Sequence, residues 1–235
     1  YESEWFTLKD AKLQLRPFQE NMEFVVASTF TPSGMTMSGK YETGVISIGG
    51  MASQGLKSLA TQWGFAEESA LKHGNQVSRN NWRVLMSWHI AETRDQAREE
   101  AKEGLFKHNN EYSTAALNPL EGKIFKTPDE AIDATAFSED STAVIGTPDD
   151  LIQKIQEMLE ITGGFGAVIG FAHDWANREN TKKSWDLVAR YVIPEINSML
   201  DDYRDSYNFV LNNRDTWLRA KDARFKNVEQ HESAA

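Results

Sequence analysis

Short apolar runs alternate with amphipathic stretches along this chain. Residues 23–28, Glu-Phe-Val-Val-Ala-Ser, predict a strand, followed by the turn Thr31-Pro32-Ser33-Gly34 and a helix start over Met35 to Lys40. A second unit has its strand at residues 44–48, its turn at Gly49-Gly50 and a helix over about 54–72. There Leu56, Leu59, Ala60, Trp63 and Ala70 recur at helical spacing. Residues 82–91 predict a third strand, and Thr93 caps the strong helix former at 94–101. The fourth pair is a helix opened by Thr147-Pro148-Asp149-Asp150 and closed at Gly163-Gly164, with Leu151, Ile155, Met158, Leu159 and Thr162 on one face. It feeds the strand 167–171, which meets Ala172-His173-Asp174-Trp175.

Residues 109–140 break the rhythm. Asn118-Pro119, Gly122 and Pro128 punctuate a segment that reads as an insertion with little regular structure. A long helix is predicted over about 181–201. Tyr203, Tyr207, Val210, Leu211, Trp217 and Leu218 then keep helical spacing in a charged tail, 201–235, expected to pack on the body or on another subunit. Residues 1–200 are accordingly read as part of a single domain.

Strands alternating with helices imply a parallel sheet flanked by helices, either a barrel or an open doubly wound sheet. No Gly-x-Gly-x-x-Gly follows any predicted strand and no Walker-type Gly-Lys-Ser/Thr occurs, which favours the α/β barrel of the TIM type. Forty per cent hydrophobic residues in 235 suffice for a substantial core. The balance of 25 basic against 35 acidic residues makes nucleic acid an improbable partner. No apolar stretch reaches the roughly 18 residues of a membrane span. The absence of cysteine rules out disulfides and thiolate chemistry and is compatible with a reducing cytoplasm. Tyr1 is not an initiator methionine, which points to a longer protein.

In a barrel, Thr31-Pro32-Ser33-Gly34 lies where a strand hands over to a helix. Its N–H groups and hydroxyls would suit a phosphate, or serve as an ordinary helix cap. Phe171, His173 and Trp175 would line a pocket, His173 being a possible proton relay near neutral pH, or form a structural corner. His89 reads as a satisfied core histidine. The histidines at 73, 89, 108, 173 and 231 show no metal-ligand spacing, so no metal site is predicted. No Gly-x-Ser-x-Gly elbow supports a hydrolase.

Taken together, several segments resemble the bacterial luciferase-like flavin-dependent monooxygenases, of the limonene monooxygenase type. They are Trp5-Phe6 with Asp10-Ala11-Lys12-Leu13-Gln14, the Thr31–Gly34 turn, His89-Ile90-Ala91-Glu92-Thr93, and the stretch from Gly146 to Ile196. That resemblance implies an eight-stranded (β/α) barrel of which this chain supplies about the last four units plus the helical tail. The absent half carries much of the flavin-ring pocket and the histidine usually discussed in catalysis, so the catalytic residues remain unknown. It implies an FMN phosphate at Thr31, Ser33 and Gly34, with Phe30 interrupting the usual small polar pattern and leaving Ser28 and Thr29 as adjacent contacts. It also implies reduced FMN from a separate flavin reductase, O2, and a small apolar organic substrate. Uncovered strand edges call for a homo-oligomer or a completing N-terminal segment. The alternatives are a non-catalytic assembly module of the same fold and a deazaflavin-dependent oxidoreductase.

Overall fold

A computed structural model describes residues 1–20, 22–29, 31–48, 55–117 and 124–232. The predicted Gly49-Gly50 turn, Asn118-Pro119, Gly122 and Phe30 lie outside the described residues. The chain divides into two compact units, Tyr1–Met86 with Ile161–Gly170, and Ser87–Glu160 with Phe171–Ala235.

In the first unit, β1 (Val25–Ser28) leads through the Thr31–Gly34 turn into α1 (Ser33–Tyr41), and β2 (Gly44–Ser47) precedes α2 (Gly55–His73). A single 3-10 turn (Arg79–Asn81) leads into β3 (Trp82–Ile90), whose last residues pass into the second unit. β1 pairs with β2 and β2 with β3, both parallel, and β5 (Ala167–Phe171) also pairs with β3. Met35, Leu59, Trp63, Ala66 and Trp82 form the interior, with the rings of Trp63 and Trp82 stacked 5.2 Å apart. A buried polar chain crosses it. Trp82 Nε1 donates to Ser47 Oγ at 2.9 Å, Ser47 Oγ donates to Gln62 Oε1 at 3.0 Å, and Gln62 Nε2 donates to the Thr29 carbonyl. Because each buried polar atom finds a partner, this chain fixes α2 against the end of β1 without leaving a desolvated donor.

The second unit holds the end of β3 paired in parallel with β4 (Val144–Gly146), together with α3 (Arg94–Lys107), a π-helical stretch (His108–Leu117), α4 (Pro128–Ala136), α5 (Pro148–Thr162) and α6 (Arg178–Leu187). The predicted caps form. Thr93 Oγ1 accepts from the Gln96 N–H, and Thr147 and Asp150 bond reciprocally, the Thr147 N–H donating to Asp150 Oδ2 at 2.9 Å. α5 ends at Gly163 and Gly164, whose φ of 73° and 103° lie in the region that favours glycine.

Three departures from the sequence reading have local causes. The segment 109–140 is not irregular: besides the π-helical stretch it contains α4, which Thr127 caps by accepting from the Glu130 N–H with Pro128 in the first turn. β4 went unpredicted because three residues carry no periodicity. The long helix over 181–201 is broken into α6, a π-helical turn (Val188–Val192) and α7 (Ile193–Ile196). Pro194 cannot donate into the ladder, and Ser198 at φ 55° ends it. In the tail, α8 (Asp201–Asn212) and α9 (Arg214–Glu232), the side chains of Tyr203, Tyr207, Val210, Leu211, Trp217 and Leu218 are all exposed. No helix among the described residues is long and apolar enough to cross a membrane.

Candidate functional site

Two of the predicted clusters follow strand ends, one in each unit. In the first unit, Ser28 closes β1 and is buried, and its hydroxyl has no hydrogen-bond partner among the described residues. Thr31 Oγ1 and Ser33 Oγ lie 2.8 Å apart at the start of α1, whose flanking residue Pro32 offers no side-chain cap. The first turn of α1 contains no acidic residue, whereas Asp95 of α3, Asp129 and Glu130 of α4, and Asp149 and Asp150 of α5 stand in the first turns of those helices. The positive end of the α1 dipole is therefore not neutralised by its own side chains. Gly34 sits hard against β1: a Cβ there would lie 2.7 Å from the Ala27 carbonyl oxygen and 2.9 Å from Ser28 Cα. Orphan hydroxyl, exposed hydroxyl pair and open helix terminus make a set of donors that fits a phosphate.

The atoms Gly34 meets are backbone or the Ser28 Cβ fixed to it, so they cannot swing aside. Gly34→Ala is expected to destabilise the first unit by about 1–3 kcal/mol. Thermal denaturation checks it; an unchanged midpoint would mean that α1 and β1 do not touch as described.

The second cluster forms a ladder of rings at the end of β5. Side chains two residues apart share a face of extended chain, so Phe171, His173 and Trp175 stack in order. The His173 ring centroid lies 4.4 Å from that of Phe171 and 4.5 Å from that of Trp175, stacked nearly parallel to the latter at 2°. Phe171 is 41% exposed, His173 8% and Trp175 4%, so the ladder runs from surface to core. Trp175 is thus a core residue, packed among Ala91, Ala97, Ala101, Leu105 and Ile145, and Phe171 carries most of the open surface of the three.

His173 Nε2 is 2.8 Å from Ser87 Oγ, and the His108 ring meets His173 edge-on at 5.0 Å. Burial, reinforced by His108, pulls the His173 pKa down to about 4. The imidazole is therefore neutral at pH 7, and the relay near neutral pH suggested by its ordinary pKa is displaced by its surroundings. His108 opens the π-helical stretch with Tyr112 5.3 Å away; burial lowers its pKa, and the Asp174 charge opposes that shift. Helix α3 comes close to this corner at Gly104, where a Cβ would collide with the Trp175 carbonyl oxygen and lie 2.6 Å from that of Asp174.

Ser87, His108 and Gln62 were not singled out from sequence. Ser87 interrupts an apolar strand and Gln62 lies three residues from Leu59 on a buried helix face, and a polar residue at a core position is the signal that could have found them. His89 is, as read, a satisfied core histidine, its Nε2 2.9 Å from Glu100 Oε2. Among the described residues no group of three or more His, Asp or Glu is gathered to hold a metal.

The parallel α/β fold is shared with the luciferase-like flavoenzymes. The oxygenating constituent of 3,6-diketocamphane monooxygenase from Pseudomonas putida, solved in complex with FMN, superposes with a TM-score of 0.55 at 21% identity, over 72% of this chain and 47% of that one. The coenzyme F420-dependent tetrahydromethanopterin reductase of Methanopyrus kandleri has a TM-score of 0.50 at 19% identity, over 74% of this chain and 51% of that one. In sequence, the chain is 36% identical to 4-hydroxyprotoasukamycin monooxygenase of Streptomyces nodosus subsp. asukaensis over 88% of its length and 56% of the relative's. It is 31% identical to limonene 1,2-monooxygenase of Rhodococcus erythropolis over 89% of its length and 53% of the relative's. The chain is a homologue of the luciferase-like monooxygenases, and it spans about half the length of the curated relatives it matches. No family model matches it.

Proposed function

We propose that this chain is the C-terminal part of a flavin-dependent monooxygenase that acts on a small apolar organic substrate with O2 and reduced FMN supplied by a separate reductase in the cytoplasm. The homology to two monooxygenases along nearly the whole chain carries this reading. In this reading residues 1–200 contribute about four units to a (β/α)8 barrel, 201–235 being an appended helical tail. When bound, reduced FMN would supply the oxygen-activating chemistry.

Within this reading the chain's own residues bind and exclude water. Thr31 and Ser33 donate their hydroxyls to the phosphate and Ser28 adds its unpaired one. Gly34 lets the first turn of α1 lie directly against the end of β1, which holds the start of the helix beside Ser28. Phe171 offers apolar surface to the substrate. Behind it, His173 and Trp175 keep the ladder rigid and dry, so that water does not compete for the reacting oxygen.

Replacing both Thr31 and Ser33 with alanine is expected to weaken reduced-FMN binding by about tenfold or more, since each hydroxyl donates to a charged acceptor. The thermal midpoint should stay near that of the parent, because both side chains are exposed. Fluorescence titration under anaerobic conditions measures the affinity, and equal affinity for parent and variant would remove the phosphate assignment. Tight binding of F420 in place of FMN would favour the deazaflavin oxidoreductase; a folded oligomer that takes up neither would favour an assembly module.

A further inference from the structure

His108 and Tyr112 belong to the connection that leaves β3 after Ile90 and returns at β4, the segment that also holds α3 and α4. Its place beside the ring ladder is fixed from both sides. Gly104 lies against the backbone of Asp174 and Trp175, and His108, four residues on and so on the same helix face, sets its ring edge-on to His173 at 72°. Beyond it, Asn109 Nδ2 donates to Thr135 Oγ1 at 3.0 Å, Asn110 Nδ2 donates to the Phe125 carbonyl at 3.1 Å, and the Phe125 N–H donates back to Asn110 Oδ1 at 2.8 Å. The two asparagines thus hold the π-helical stretch, a geometry that recurs at functional sites.

His108 and Tyr112 contribute nothing to that anchoring. Among the described residues the His108 ring nitrogens, the Tyr112 hydroxyl and the Asp174 carboxylate make no hydrogen bond or ion pair. Burial lowers the His108 pKa, so at pH 7 the ring keeps an unprotonated nitrogen able to accept. The ladder itself has one open end. Phe171 and Trp175 both stack on His173 and Ser87 engages its Nε2, whereas Phe171 is exposed and a further ring can be laid on it. Phe171 and His108 both contact His173, so the open ring and the free polar groups stand beside the same imidazole.

We propose that His108 and Tyr112 select the substrate, and that they select a planar unsaturated ring bearing a hydroxyl group. The ring continues the stack on Phe171, its hydroxyl donates to a His108 nitrogen, and the Tyr112 hydroxyl donates to the same oxygen. This rests on the monooxygenase reading and narrows its apolar substrate to one with a single polar group. The Asp174 charge near His108 works against a carboxylate in the hydroxyl's place.

Ligand-observed NMR titration of the full chain without flavin compares 4-methylphenol with toluene, which lacks the hydroxyl, and with 4-methylcyclohexanol, which lacks the planar ring. 4-Methylphenol is expected to bind about tenfold more tightly than either and to shift the His108 ring resonances. His108→Phe keeps a ring against His173 and removes both nitrogens, so it should bring 4-methylphenol down to the affinity of toluene and leave toluene unchanged. Tyr112→Phe should weaken 4-methylphenol alone, by about threefold or more. Equal affinity for the three probes, no binding of 4-methylphenol at tens of millimolar, or a preference that survives both substitutions would each overturn the proposal. The isoalloxazine of FMN is also a planar ring carrying oxygens, so reduced FMN is titrated into the same variants. Its affinity should be unchanged; a loss matching that of 4-methylphenol would give the ring site to the cofactor and overturn the substrate assignment. A parent that prefers 4-methylphenol but takes up no FMN would count against the enzyme reading, whereas one that binds FMN and treats the three probes alike would count against this site only.

Discussion

Trp175→Ala is expected to cost the second unit about 3 kcal/mol or more, the largest effect of any single substitution considered. The indole is 4% exposed and belongs to a core cluster that holds five alanines, Ala91, Ala97, Ala101, Ala131 and Ala143, beside Leu105, Ile132 and Ile145. The alanines have no side-chain length with which to collapse into the vacated volume, so much of the cavity term is retained. Loss of the stacked contact with His173 adds to it, at about 0.5–1.5 kcal/mol. One term runs the other way. Trp175 Nε1 is buried with no hydrogen-bond partner, so removing it relieves a desolvated donor by about 1–3 kcal/mol. Packing wins because the whole ring is lost and only one polar atom is relieved. Trp175→Phe keeps most of the ring and also removes the orphan N–H, so its loss should be much the smaller. Urea unfolding followed by far-ultraviolet circular dichroism ranks the two variants. Equal stabilities for Trp175→Ala and the parent would show that the indole is not a core residue.

The pH dependence of stability should carry the signature of His173. In the unfolded chain its imidazole titrates at its ordinary value of 6.5; in the folded protein burial, with help from His108, brings it down to about 4. Above pH 6.5 neither state binds the proton, and the native state keeps its full stability. As pH falls below 6.5 the unfolded state takes up a proton that the native state refuses, so stability drops with a slope approaching one proton. The slope from this group vanishes below about pH 4, where both states are protonated. The window from 6.5 to 4 corresponds to a loss of about 3 kcal/mol. His108, lowered by its own burial, acts in the same direction. Carboxylates titrate at the acid end of the window, so the test compares the parent with His173→Gln. Denaturation midpoints measured from pH 7.5 to 4 should fall more steeply for the parent. Parallel curves would show that His173 is not held neutral by its surroundings.

The extent to which these features were legible in the sequence varied with the distance over which each is decided. Thr147 with Asp150, Thr93 with Gln96, and the pair Gly163-Gly164 all act within four residues, and the helix ends they predict are the ones observed. Thr127-Pro128-Asp129-Glu130 repeats the pattern of Thr147-Pro148-Asp149-Asp150 twenty residues earlier. It opens α4 by the same means, although among the breakers of residues 109–140 Pro128 reads as punctuation. The π-helical stretch at His108–Leu117 had no comparable signal, because its hydrophobic pattern favours no face. The His173 corner was half legible. Its place at a strand end followed from the run Ala167–Phe171, but its neutrality, its Ser87 partner and the burial of Trp175 did not.

By itself the sequence determined the order of elements outside residues 108–146, because the alternation of apolar runs with amphipathic stretches and the capping residues between them act locally. It also determined the chemical character of the β1–α1 turn, where hydroxyls, a proline and a glycine stand together. Only the tertiary structure decided which polar groups are satisfied and which residues have no room for a side chain. Gln62 reaches Thr29 across 33 residues, Ser87 reaches His173 across 86, and Gly104 touches the backbone of Trp175. Burial and the pKa values that follow from it arise from neighbours brought together by folding, and no periodicity along the chain records which neighbours those are.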